Sequence, residues 1–244
     1  MTTAWRLIAP IEASGVTQMA IDEWLLEQHC LGYGLPCLRF YTWAPIAISL
    51  GYHQRQYPEH WKNLIWHGQT IDLVQRPSGG RAVLHQGDVT YSLITSGYRG
   101  RRRDIYEHLC QFLVEGWKRL GVNLYLGSEQ RYQRSNNCFG TSTAADLVTS
   151  DGYKVIGSAQ LYRKRCILQH GSIRLSPNIE LVQYVFGKAP TIPPPAITKI
   201  ASHNVIGELT HAAQQVFDIH LIDQPLSTEE QQQAVAWSKN QKHR

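Results

Sequence analysis

The chain has 244 residues, 43% hydrophobic and 18% charged, with a formal net charge of +5. That is ordinary globular usage with length enough for a substantial core, and it excludes a disordered, collagenous or low-complexity protein. Arg6, Glu12, Asp22, Glu23 and Glu27 interrupt every apolar run near the start, so neither a secretory leader nor a membrane span is expected and the cytosol is the default compartment.

In chain order, Trp5 to Ile8 reads as a strand and Val16 to Cys30 as a helix turning Val16, Met19, Ala20, Trp24 and Leu25 to the core. Cys37 to Trp43 and Ile46 to Gly51 are β-rich runs about the Ala44-Pro45 turn and are predicted to be adjacent strands. A helix is predicted over Pro58 to His67, then a strand over Ile71 to Arg76, then more sheet over Ala82 to Leu84 and Val89 to Thr95. Asp104 is placed to cap a helix whose apolar positions run from Ile105 to Leu120, with Gly121 ending it. Asp151-Gly152 is a two-residue hairpin signal between Asp146–Thr149 and Tyr153–Ala159. With Cys166 to Leu175 these make a three-stranded meander. Ser176-Pro177 opens a helix through Leu181, Val182 and Val185. After Pro193-Pro194-Pro195, two further helices follow, the second opened by the Ser227/Glu230 capping box. The organisation expected is one catalytic domain over 1–244, with 196–244 a short helical C-terminal extension.

Three stretches hold polar residues that a strand-rich core does not need. In Arg76 to His85, reading RPSGGRAVLH, Gly79 and Gly80 let backbone approach a ligand, while Arg76 and Arg81 offer forked donors. A tight turn is the plainer alternative. Cys138 follows the polar Ser135-Asn136-Asn137 in what reads as a loop, whereas Cys30, Cys37, Cys110 and Cys166 lie in apolar elements, so Cys138 is the candidate nucleophile. Lys154 opens a run in which Gly157, Ser158 and Ala159 leave room for a ligand chain; a solvated hairpin lysine is the alternative. His85 and His170, by themselves, read as well as satisfied polar residues. The cysteines form no C-x-x-C pair, and no Cys/His spacing suits zinc, so no protein-held metal is expected. Walker, G-x-S-x-G and G-x-G-x-x-G motifs are absent. The positive charge, concentrated in Arg99 and Arg101 to Arg103 and in Arg163 to Arg165, favours an acidic partner. No nucleic-acid-binding signature accompanies it.

Taken in order, MAIDE at Met19 to Glu23, LRFY-x-W at Leu38 to Trp43, SLGY at Ser49 to Tyr52, RPSGGRAVLH, Cys138-Phe139, KVIGSAQ from Lys154 and ILQHGSI from Ile167 resemble the biotin/lipoate protein ligase catalytic family. The likeness is to its cysteine-dependent octanoyltransferase branch, and it runs from about Trp5 to beyond Leu175. It implies an α+β fold: a mixed, largely antiparallel sheet flanked by helices, like the class II aminoacyl-tRNA synthetase and biotin/lipoate ligase catalytic domain. It further implies that Cys138 takes octanoate from an acyl carrier protein thioester, with Lys154 at the acyl carbonyl. Arg76, Ser78, Gly79, Gly80, Arg81, His85, Gly157, Ser158 and Ala159 would line the acyl site. The acceptor would be a lysine of a lipoyl domain, the glycine cleavage H protein first. No cofactor, nucleic acid or membrane is called for.

Three rivals remain at this point. An ATP-dependent lipoate-protein ligase is disfavoured by Cys138, by Arg81 where ligases commonly carry a third glycine, and by the short run after Pro195. An amidotransferase using octanoyl-H protein fits the RPSGGRAVLH and ILQHGSI stretches less closely. A non-catalytic acyl- or carrier-binding protein would leave Cys138 unreactive.

Overall fold

The structure, a computed structural model, describes residues 2–127, 146–187 and 191–241. In chain order its elements are β1 (Thr3–Ala13), α1 (Gly15–Leu31), β2 (Cys37–Trp43), β3 (Ala47–Leu50), a 3-10 turn (Glu59–Asn63), β4 (Ile65–Trp66), β5 (Gln69–Thr70), β6 (Asp72–Gln75), β7 (Val83–His85), β8 (Asp88–Ser96) and α2 (Arg102–Arg119). They continue as β9 (Tyr125–Leu126), β10 (Asp146–Val148), β11 (Lys154–Arg163), β12 (Cys166–Arg174), α3 (Ile179–Phe186), α4 (Pro195–Thr198), α5 (Ser202–Phe217), β13 (Ile219–Asp223) and α6 (Thr228–Gln241).

The large sheet has eight strands in the order β13-β1-β2-β8-β12-β11-β10-β9. Only β13–β1 and β1–β2 are parallel pairs, so the expectation of a mixed, largely antiparallel sheet holds. α2 and α5 cover one face, where Leu109, Phe112, Leu113 and Trp117 bury against Tyr91, Leu93 and Ile167. α1 covers the other, with Ile21, Leu25 and Leu26 on Ile8, Ile94 and Leu168. A small sheet, β6-β3-β7, lies on that same side and carries its own apolar cluster with Trp61 and α3.

Local chemistry sets these boundaries. α1 starts where the Ser14 hydroxyl accepts from the Thr17 amide and stops at Gly32, whose φ of 82° closes the helix. Val16, expected in the core, is exposed: a Cβ on Gly15 would meet Val74 Cγ1 at 2.9 Å, so this turn presses its glycine inward and leaves Val16 outside. α2 begins before Asp104, with Arg101 at the N-cap position and no side-chain cap. The meander β10-β11-β12 forms as expected, turning at Gly152 and at Lys164-Arg165.

Three expectations need correction. β2 and β3 are not neighbours, because β1 and β8 already occupy both edges of β2; the Ala44-Pro45 turn carries the chain out of the large sheet into the small one. The helix expected over Pro58 to His67 is a short 3-10 turn followed by the β4–β5 hairpin. His67 (φ 47°) and Gly68 (φ 78°) supply the paired left-handed residues of a two-residue turn. The segment 196–244 is not helical throughout, since β13 joins the large sheet beside β1.

Candidate active site

The Gly-rich loop lies between β6 and β7, facing the large sheet. Arg76 organises it from within. Its Nη1 donates to the Ser49 carbonyl at 2.8 Å, and its Nη2 to the carbonyls of Gly79 (2.9 Å) and Arg81 (2.7 Å). Its Nε reaches the Gly79 carbonyl at 3.2 Å, and Nη1 also reaches the Ser49 hydroxyl at 3.2 Å. The guanidinium is thus a strut for the loop backbone, and its donors are directed at the protein. Gly80 is required here: its φ is 96°, and a Cβ would stand 2.7 Å from Arg76 Nη2. Gly51 is required for a different reason, since its Cβ would sit 1.9 Å from the Gly80 carbonyl oxygen. Gly79 has open space where a side chain would be.

Two chains of buried polar groups hold this loop and its small sheet to the large one. In the first, Asp22 of α1 accepts from Arg39 Nη1 (2.8 Å), Tyr41 OH (2.9 Å) and His170 Nδ1 (2.9 Å), and His170 Nε2 is hydrogen-bonded to the Ser78 hydroxyl. Burial alone would raise the Asp22 carboxyl, but the Arg39 guanidinium and the His170 bond outweigh it and hold the group below the ordinary carboxylate range. In the second, Asp88 Oδ2 accepts from His85 Nδ1 (2.9 Å) and Ser172 Oγ (2.6 Å), while His85 Nε2 takes the Ser49 hydroxyl at 2.9 Å. Burial dominates at His85 and depresses its basicity against the pull of Asp88. The ring is therefore neutral at pH 7, and its contact with Asp88 is a hydrogen bond, not an ion pair. Trp43 stacks on it, with centroids 3.8 Å apart, and donates from Nε1 to Thr90 at 2.8 Å.

Between loop and sheet lies a narrow, half-open cavity. It crosses the adjacent strands β2, β8, β12 and β11, three spacings or roughly 14 Å. Tyr41, Trp43 and His85 close one end; Gly157, Ser158 and Ala159 line the other, with Met19, Val83 and Gly79 along the walls. Its long, narrow and largely apolar course between loop and sheet suits an aliphatic chain. At the β11 end, Lys154 Nζ lies 2.8 Å from Asp146 Oδ1, both side chains 4% exposed. The lysine stem passes over Gly157, where a Cβ would meet Lys154 Cε at 3.0 Å and Nζ at 3.2 Å.

Of the residues expected at the site, the structure therefore gathers Arg76, Gly79, Gly80, His85, Gly157, Ser158 and Ala159 around one cavity. Ser78 stands behind it, bonded to His170, and Arg81 contributes its carbonyl to Arg76. Lys154 borders the cavity through Gly157. Cys138 lies outside the described residues. The last residue before its segment and the first after it are joined, Gly127 N donating to the Asp146 carbonyl at 2.7 Å. Burial pushes the thiols of Cys30, Cys37 and Cys110 up to about 12, so none is a nucleophile at neutral pH. Sequence reasoning missed Asp146, Asp22, Asp88 and Ser49. Asp22 sits in MAIDE, but its partners Arg39, Tyr41 and His170 come from two other strands. Among the described residues no group of three or more His, Cys, Asp and Glu side chains is set to hold a metal ion, and no helix is long and apolar enough to cross a membrane.

Solved structures share this architecture along nearly the whole chain. Lipoate-protein ligase A bound with ATP aligns at TM-score 0.78 and 20% identity, covering 98% of this chain and 95% of that one. The bipartite lipoate protein ligase from Thermoplasma acidophilum, described with its E2 lipoyl domain, aligns at 0.71 and 17%, covering 97% and 92%. The fold is thus that of the lipoate protein ligases. The lipoyl protein ligase A/B catalytic domain matches residues 14–229, and the chain belongs to that family. Within it, octanoyltransferases LipM from Brevibacillus brevis and Geobacillus kaustophilus are 35% and 36% identical. They match over 73% and 75% of this chain and 68% and 69% of their own.

Proposed function

We propose that this octanoyltransferase of lipoate assembly takes octanoate from an acyl carrier protein thioester onto Cys138 and passes it to a lysine of a lipoyl domain, the glycine cleavage H protein first. No ATP or cofactor enters the reaction. The Cys138 thiolate attacks the thioester carbonyl and the carrier's thiol leaves, an exchange of one thioester for another. The acceptor amine, having lost its proton, then attacks the acyl-enzyme; the Cys138 sulfur leaves and an amide forms, which makes this step downhill. Lys154 donates to the acyl oxygen as charge develops on it, and Asp146 holds the ammonium in place.

The supporting observation is the position of the Lys154–Asp146 pair: it borders the β11 end of a largely apolar cavity, at the point where the segment bearing Cys138 leaves and rejoins the described chain. The high thiol values of Cys30, Cys37 and Cys110 add selectivity to the reading. The test is to mix the protein with octanoyl-acyl carrier protein in the absence of ATP and map the adduct by peptide mass analysis. Thioester on Cys138, and loss of transfer to an apo lipoyl domain in Cys138→Ser, are expected. Strict dependence on ATP and free octanoate would overturn the reading in favour of a ligase.

A further inference from the structure

The two basic runs, 60 residues apart from Arg103 to Arg163, meet on one surface. Arg102, at the start of α2, lays its guanidinium over the Tyr162 ring at 4.7 Å, which sets Arg99 and Arg101 to Arg103 beside the Lys164-Arg165 turn that joins β11 to β12. Three of these cations are answered within the chain. Arg101 binds Asp104 at 2.9 Å, Arg103 binds Glu107 at 2.8 Å, and Arg163 binds Glu27 at 2.8 Å and lies 3.7 Å from Glu23. Arg99, Arg102, Lys164 and Arg165 are exposed and have no carboxylate partner among the described residues.

Local structure does not ask for cations at these places. Lys164 holds φ at 54° in a two-residue hairpin turn, a position that favours glycine or asparagine. Arg101 stands where α1 and α3 carry the capping residues Ser14 and Asn178. Lys164 thus departs from local preference with no carboxylate partner among the described residues, which points to a role other than folding.

The surface is also linked to the cavity. From Arg163, β11 leads back to Ala159 and Gly157 in four to six residues, roughly 13–20 Å along the strand, and both residues line the cavity wall. The patch and the acyl site thus lie at two points along one strand.

We propose that Arg99, Arg102, Lys164 and Arg165 form the docking surface for the acyl donor: an acidic carrier domain presenting its thioester on such an arm. This rests on the carrier-dependent reading given above. Charge complementarity selects the acidic domain, and the free cations steer its approach.

The test compares acylation of the protein by octanoyl-acyl carrier protein and by octanoyl-pantetheine, which has the thioester arm without the protein. In Arg102→Gln/Lys164→Glu/Arg165→Glu, kcat/KM with the carrier is expected to fall at least tenfold and to lose most of its salt dependence, while octanoyl-pantetheine reacts as with the wild type. Lys164→Gly should melt at the same or higher temperature, since glycine accepts φ of 54° without strain, yet use the carrier less well. Unchanged carrier kinetics in both variants would overturn the surface. So would an equal loss with octanoyl-pantetheine, or a loss confined to transfer onto the lipoyl domain. Wild-type protein that accepts octanoyl-pantetheine but not the carrier would overturn the carrier reading itself.

Discussion

Lys154 and Asp146 meet at 2.8 Å with almost no solvent around them, and the bare backbone of Gly157 lies beneath the lysine stem. Two substitutions separate those influences. Asp146→Asn removes the charge-assisted bond, and is expected to cost about 1.5–3 kcal/mol of stability as well as activity. Gly157→Ala leaves the pair intact but pushes the lysine stem aside. With a displacement near 1 Å it is expected to lower kcat on the order of 10²-fold with little change in KM. Urea unfolding and single-turnover acyl transfer would check both. Very little of this was legible beforehand. Lys154 stood out because small residues follow it, but Asp146 reads as an ordinary residue at a strand start, and its role appears only when β10 pairs with β11 and sets it across from Gly157. Arg76 carried the opposite lesson: a forked donor next to two glycines suggests a ligand, whereas its acceptors are carbonyls of Ser49, Gly79 and Arg81.

At the scale of elements, the Gly-rich loop is held by contacts that allow no substitution on the strand beside it. In Gly51→Ala the new methyl would fall 1.9 Å from the Gly80 oxygen, a backbone atom that cannot rotate away. The loop must shift, and overpacking of this kind costs about 1–3 kcal/mol. Because the cavity wall moves with it, acyl transfer is expected to fall further than stability does, as a comparison of initial rates and urea midpoints would show. Element assignments followed from periodicity where a single face is buried, as in α2 with Ile105, Leu109, Phe112, Leu113 and Trp117 at helical spacing. They failed where partners decide the outcome. Nothing within Cys37 to Leu50 says that β1 and β8 fill both edges of β2, and the 3-10 turn at Glu59 gives way to a hairpin through the His67-Gly68 turn.

Across the whole molecule, the two aspartate–histidine–serine chains couple stability to pH in the same direction. His85 is depressed below its ordinary value of 6.5, so the unfolded chain takes up the proton first. Its contribution is intact above about 6.5 and is lost as the pH falls toward the folded value. Asp22 is depressed below 3.8, so its contribution is present above that pH and disappears as acidification passes its folded value. Melting temperature is therefore expected to be level from pH 8 to 7 and to fall as the pH drops below 6.5, with a shallower fall in His85→Gln. The overall α+β plan was readable from the motifs and their order. The way α1, β12 and the Gly-rich loop each lend one member to the Asp22–His170–Ser78 chain was not, since those residues are up to 148 positions apart.

The parallel pairing of β13 with β1 has a consequence for how the molecule meets its own copies. β1 is an eleven-residue strand, long for an edge, and it is interior to the sheet only because Ile219 to Asp223 lie alongside Thr3 to Leu7. Over Thr3 to Leu7 it therefore offers no open row of amide and carbonyl groups to another chain, and among the described residues the sheet ends on the five residues of β13 and the two of β9. Short edges are how β-proteins avoid strand-to-strand association, so the last strand of the fold protects solubility as much as it completes the sheet.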